Sequence, residues 1–224
     1  VIPCGVDIEL FRPIDPEKAR THLGLGPGRF ILFVGRLTPV KGIDTLIRAF
    51  RILLDQKKSN KGDIRLLVVG GEQEYPHSES AELRGLAESL GIVDRTIFLG
   101  PQQQSLLPLF YASAEMCVLP SRHESFGMVA LEAMACGKPV VASNVGGLAF
   151  SVVNNETGVL VPEGDPTALA MSLSYLLDHP EATRELGTKA VHRALNFRWP
   201  IITSRVLDLY CELIPCRKMA AFPG

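Results

Sequence analysis

The chain has 224 residues, enough for one full α/β domain and short for two ordinary ones. Hydrophobic residues make up 46% and charged residues 21%, a soluble globular composition that excludes a disordered or fibrous chain. Lys plus Arg number 23 against 24 Asp plus Glu, a formal net charge of -1, so the basic surplus that nucleic acid or an anionic membrane asks of a main partner is absent.

In chain order, the opening VIPCGVDIELF lacks the basic and long apolar regions of a secretory leader, and no stretch reaches the ~20 apolar residues needed to span a bilayer. It has no initiator Met and begins in mid-motif, so a fragment of a longer protein is expected. Residues 30–34 (FILFV) and 64–69 (IRLLVV) are nearly unbroken apolar runs ending at glycine, as strands buried on both faces are. Residues 96–99, 116–119 and 139–142 are shorter strands of the same kind. Between them, 43–55 carries apolar residues at 43, 46, 47, 50, 53 and 54, one face of a helix. Residues 80–90, 106–114, 127–135, 167–177, 181–195 and 199–213 read as further helices, with Asp165 as an N-cap and Pro200 in a first turn. This alternation predicts an α/β fold, a Rossmann-like parallel sheet with helices on both faces. Ligands of such sheets sit outside the carboxyl ends of the strands.

Five scattered cysteines (Cys4, Cys117, Cys136, Cys211, Cys216) are an odd number in a chain too large to need staples, which points to a reducing cytoplasm. Cys117 and Cys136 lie in apolar runs as small core residues, and Cys211 and Cys216 are spaced too loosely for a metal-binding pair.

After the first strand comes Gly35-Arg36-Leu37-Thr38-Pro39-Val40-Lys41-Gly42. Glycine allows close backbone approach, a helix N-terminus supplies unpaired N–H groups, and Arg36 and Lys41 add two charges. The segment reads either as a diphosphate cradle or as a solvated loop with two ordinary cations; it is neither a Walker A loop nor a dinucleotide GxGxxG. After the fourth strand, the run 120–139 holds Glu124 and Glu132, about 12 Å apart along the axis if the span were helical. Two such carboxylates suit hydroxyls at opposite ends of an extended ligand. Glu132 interrupts an apolar helix and needs a partner, either a ligand, a core cation, or water past the helix end. Glu124 alone suits a helix start.

Gly35-Arg36 with Lys41-Gly42, the Glu124-x7-Glu132 pair within ESFGMVALEAMACGKPVVAS, and Val145-Gly146-Gly147 followed by Glu156-Thr157-Gly158 resemble the C-terminal half of a retaining GT-B glycosyltransferase of the GT4 group. That group includes sucrose-phosphate synthases, bacterial mannosyltransferases and the mycothiol-pathway N-acetylglucosaminyltransferase. The likeness runs from Val1 to about Ile214. Two departures stand out: Cys4 replaces the usual linker Asn, and Gly147-Leu148-Ala149-Phe150 replaces GGxPE, a pattern nearer the sucrose-related and mycothiol-related members.

The resemblance implies an interdomain linker at 1–14, a nucleotide-sugar-binding domain at 15–198, a crossover helix at 199–214 and a tail at 215–224. It implies that Arg36 and Lys41 bind the donor diphosphate, that Glu124 bonds the donor sugar, and that Glu132 bonds the ribose hydroxyls. Arg36, Lys41 and Glu124 would be the catalytic set. Gly35, Ser125, Phe126, Gly127, Met128 and Leu131 would complete the donor site, with the amides of 126–128 facing sugar and phosphates, Leu131 near the ribose, and 97–103 along the base. The implied reaction moves a hexosyl group from a nucleoside diphosphate sugar, a UDP-sugar first, to an acceptor held by an N-terminal domain outside this chain. Two cations in place of a DxD-like motif imply metal independence and no cofactor. The isolated chain would then bind donor weakly and transfer little.

A non-catalytic nucleotide-sugar-binding module is the alternative, and a nicotinamide oxidoreductase a third reading that the missing GxGxxG disfavours. Glu72 follows the second strand but lies far beyond the ~20-residue spacing of a dinucleotide acid. Asn155-Glu156-Thr157 spells a glycosylation sequon and reads as a turn. His123 reads as an exposed side chain, and Lys57, Lys58 and Lys61 as a solvated loop that would lean toward anionic lipid only in an intact enzyme.

Overall fold

The computed structural model describes residues 2–56, 63–71 and 79–213. Six parallel strands, β1 (Arg29–Val34), β2 (Ile64–Val69), β3 (Thr96–Gly100), β4 (Met116–Leu119), β5 (Val140–Ser143) and β6 (Gly158–Val161), form one sheet in the order β3-β2-β1-β4-β5-β6. The order reverses between β1 and β4, which pair through Ile31 with Met116 and Leu32 with Cys117. The helices are α1 (Pro16–His22), α2 (Ile43–Gln56), α3 (Glu79–Ser89), α4 (Leu107–Ser113), α5 (Met128–Ala135), α6 (Gly146–Ser151), α7 (Pro166–Asp178), α8 (Pro180–Leu195) and α9 (Trp199–Leu213).

Strand side chains alternate between faces, and here both faces are covered. Phe30, Leu32, Val34, Leu67, Cys117 and Val140 pack with Tyr111 of α4, Leu131 and Met134 of α5 and Ala190 of α8. Ile31, Phe33, Leu66, Val68, Val118 and Val141 pack with Leu46 and Phe50 of α2, Leu83 of α3 and Leu173 of α7. That double burial is why the strands read as apolar runs without alternation.

Three elements lie outside the sequence expectation. In α1 only Ala19 is buried, so no apolar period marks it, and its start rests on Asp15 accepting from Lys18 N at 3.0 Å. The short α6 opens with two glycines, poor helix formers. Strand β6 is four residues long and sits at the sheet edge, where Asn154 caps it by accepting from Leu160 N at 2.9 Å. The expected N-cap at α7 is present: Asp165 Oδ1 accepts from Thr167 N and Ala168 N, both at 2.9 Å.

The segment before α1 docks onto the core. Val6 and Phe11 are buried, Val6 N donates to Phe197 O at 2.8 Å, and Val6 bridges Arg198 in parallel. Helix α9 buries only Ile202 and exposes Trp199, Leu207, Tyr210 and Leu213. Among the described residues, no helix is long and apolar enough to cross a membrane. Glu72, Cys216, the lysines at 57, 58 and 61, and the tail at 215–224 fall outside the described residues.

Candidate functional site

The loops leaving β1 and β4 lie side by side, because these strands are neighbours at the point where the sheet reverses. In the first loop, Lys41 N donates to Thr38 O at 2.9 Å to close a single tight turn, and Gly42 follows in the left-handed region at φ 63. A Cβ on Gly42 would sit 2.0 Å from Pro120 O, so the glycine is what lets the two loops touch. Arg122 N donates to Val40 O at 2.8 Å and its guanidinium to Asp44 Oδ2 at 2.9 Å, fastening the second loop to the first and to α2.

Across this seam, Lys41 Nζ donates to Glu124 Oε2 at 2.5 Å, with about a fifth of each side chain exposed (20% and 19%). The sequence placed these two residues in separate motifs, and the fold joins them. Arg36 stands exposed on the same loop as Lys41, and Ser125 and His123 are exposed beside Glu124.

The second loop is held from its other side by α6. Gly147 N donates to Glu124 O at 2.8 Å, and Ser151 Oγ donates to Phe126 O at 3.0 Å. A Cβ at Gly147 would lie 2.3 Å from Phe126 Cα, and one at Gly146 would lie 2.2 Å from Glu124 O. The Gly146-Gly147 pair therefore permits backbone to pass against backbone under the Glu124 loop. Gly127, at φ 84, turns the chain into α5, whose first bonds run from Ala130 N and Leu131 N to Gly127 O. The amides ahead of Ala130 belong to the unpaired N-terminal turn and its partial positive charge.

Glu132 is 9% exposed on α5, and its protein partner is a phenol, which was not among the ligand, core cation or water that the sequence offered. Tyr111 of α4 donates to Glu132 Oε2 at 2.8 Å. Burial pushes the Glu132 carboxyl above its ordinary value, and the phenol's hydrogen bond works against that shift. Burial also carries the Tyr111 hydroxyl well above its ordinary range, as does the neighbouring carboxylate. The Cys117 thiol is raised by burial, and that of Cys136 is pushed up to about 12 by the same cause.

Sequence reasoning missed Tyr111, which counted only as an apolar helix position; the unmet need of Glu132 for a partner was the signal. Leu131, expected near a ligand, lies on α5 and is 0% exposed, packed in the core beneath the site. Residues 97–103 run along the end of edge strand β3, where Gln102 Nε2 donates to Leu99 O at 2.8 Å.

A cavity of about 270 Å³ touches the first loop at Leu37 and Pro39 and is rimmed by Asp44, Glu82 and Arg122. A larger one, about 480 Å³, lies beside β6 between α7 and α8, away from both loops. Position at the strand ends and convergent charge single out the loops over the larger void. Among the described residues, no group of three His, Cys, Asp or Glu side chains is arranged to hold a metal ion.

A parallel sheet reversing at β1 and β4, with two charged loops meeting at that point, is the arrangement of a nucleotide-binding α/β domain. Residues 16–193 match the family described as "Glycosyl transferases group 1", and the chain belongs to it. Over 222 residues it is 41% identical to D-inositol 3-phosphate glycosyltransferase of Acidothermus cellulolyticus, covering 99% of this chain and 49% of that protein. It thus spans about half the length of the curated relatives it matches. Sucrose-phosphate synthase of Thermosynechococcus elongatus superposes with a TM-score of 0.83 at 39% identity, over 95% of this chain and 52% of that one. Anabaena Alr3699/HepE, whose crystal structure contains UDP and glucose, superposes with a TM-score of 0.80 at 28% identity, over 92% and 54%.

Proposed function

We propose that this chain is the donor-binding half of a retaining hexosyltransferase that uses a nucleoside diphosphate sugar, a UDP-sugar first, with the acceptor held by an N-terminal half. One observation carries the reading: Lys41 and Glu124 converge between the β1 and β4 loops, beside the free N-terminal turn of α5. Cation and amides suit a diphosphate, and the two carboxylates suit sugar and ribose hydroxyls. The names of the relatives and the UDP and glucose in Anabaena Alr3699/HepE support the same class of donor.

As the bond from sugar to phosphate breaks, negative charge gathers on the departing diphosphate, and Arg36 and Lys41 neutralise it most when it is greatest. Such fixed charges stabilise the transition state, and losing one lowers the rate by roughly 10²- to 10³-fold. Two cations meet this charge without a divalent ion, so the reaction proceeds in EDTA. The free thiols of Cys4, Cys117 and Cys136 agree with a cytoplasmic setting.

Thermal shift with UDP, GDP and ADP, each with Mg²⁺ or with EDTA, tests the site. UDP should raise Tm equally in both conditions, and Lys41→Ala should remove the rise while the unliganded Tm stays within a few degrees. A chain indifferent to all three nucleotides refutes the assignment.

A further inference from the structure

The Tyr111–Glu132 contact joins two buried side chains from different helices, and neither helix needs it for its own backbone. Tyr111 is 0% exposed, its ring edge-on to Phe11 with centroids 6.1 Å apart, so the phenol has one fixed direction. It donates to Oε2 of Glu132. Oε1 accepts no protein hydrogen bond among the described residues and is not sealed from solvent, since the single buried side-chain polar atom without a partner among them is Thr38 Oγ1. The carboxylate is thus gripped by one oxygen from inside the core and open at the other.

We propose that Tyr111 is the positioning residue of the donor site: its phenol locks the Glu132 carboxylate so that the open oxygen meets the ribose hydroxyls of a nucleoside diphosphate. The inference rests on the function proposed above, and it adds a residue that touches no ligand. Two physical reasons favour it. A glutamate side chain has three rotatable bonds, and holding one oxygen fixes all three before the ligand arrives. A charge-assisted hydrogen bond also opposes the desolvation that drives a carboxyl toward its neutral, poorly accepting form. Phenylalanine at 111 would fill the same space and supply neither.

Calorimetric titration of the 224-residue chain with UDP and with 2′,3′-dideoxyuridine diphosphate tests this. The wild-type chain should prefer UDP by roughly tenfold or more, the worth of hydrogen bonds to a charged group. Tyr111→Phe should weaken UDP by about tenfold, leave the dideoxy compound unchanged, and so erase the preference. In a Glu132→Gln background the same change should make no further difference. If Tyr111→Phe keeps the wild-type preference, or weakens both nucleotides equally, the positioning role is overturned and the site assignment stands. A wild-type chain that does not distinguish the two nucleotides overturns the assignment of Glu132 and this inference with it. Should Tyr111→Phe fail to fold, 4-aminophenylalanine at 111 keeps a donor in place: retained preference supports the role, and lost preference in a folded chain overturns it.

Discussion

Lys41 and Glu124 are ion-paired with each other, so a diphosphate must compete with Glu124 for the ammonium. Glu124→Gln removes that competitor, and UDP, which carries no sugar for Glu124 to hold, should bind about fivefold tighter, the scale of a partly exposed ion pair. Calorimetry on the two chains reads this directly. Glu132 behaves in the opposite sense. Its folded-state carboxyl is raised by burial, so the stability it contributes is complete below the unfolded carboxyl range and is lost as pH rises through the folded value. Glu132→Gln should therefore raise the unliganded Tm at pH 7, the gain closing as pH falls below ~4.3, while UDP affinity drops. Among the thiols, iodoacetamide at pH 8 should label exposed Cys4 and spare Cys117 and Cys136 until the chain unfolds. At this scale the sequence marked both glutamates and Lys41, because charges inside apolar or glycine-rich runs stand out. It could not mark Tyr111, whose one polar atom hides on a residue that packs as an apolar one.

Strands β1 and β2 and helix α2 were legible because each satisfies one strong period over many residues. Helices α1 and α6 and strand β6 were not, being short and fixed by caps and contacts distant in sequence. The glycines of α6 illustrate this: Gly146 and Gly147 read as a family signature, and only the fold shows the Glu124 loop lying across them. Gly147→Ala sets a Cβ against Phe126 backbone that has no room to yield, a cost of about 1–3 kcal/mol for forced displacement. The displaced backbone at Phe126 leads into the N-terminal turn of α5, so the variant should melt lower and lose its response to UDP in one thermal-shift experiment.

In the whole molecule, stability is unevenly spread. The central strands are covered on both faces, whereas among the described residues of α9 only Ile202, near its start, is buried. Hydrogen exchange should show β1 and β4 amides protected to the level of global unfolding and the amides of α9 beyond Ile202 opening far more readily. Comparable protection across both would contradict this account.

The bridge from Val6 to Phe197 and Arg198 sets the way into the fold next to the way out of it. Whatever precedes Val6, and α9 itself, depart from one corner, with the ring of Trp199 lying against Gly5. Any side chain at position 5 would set its Cβ 2.5 Å from the Trp199 indole, so one substitution there disturbs both segments together.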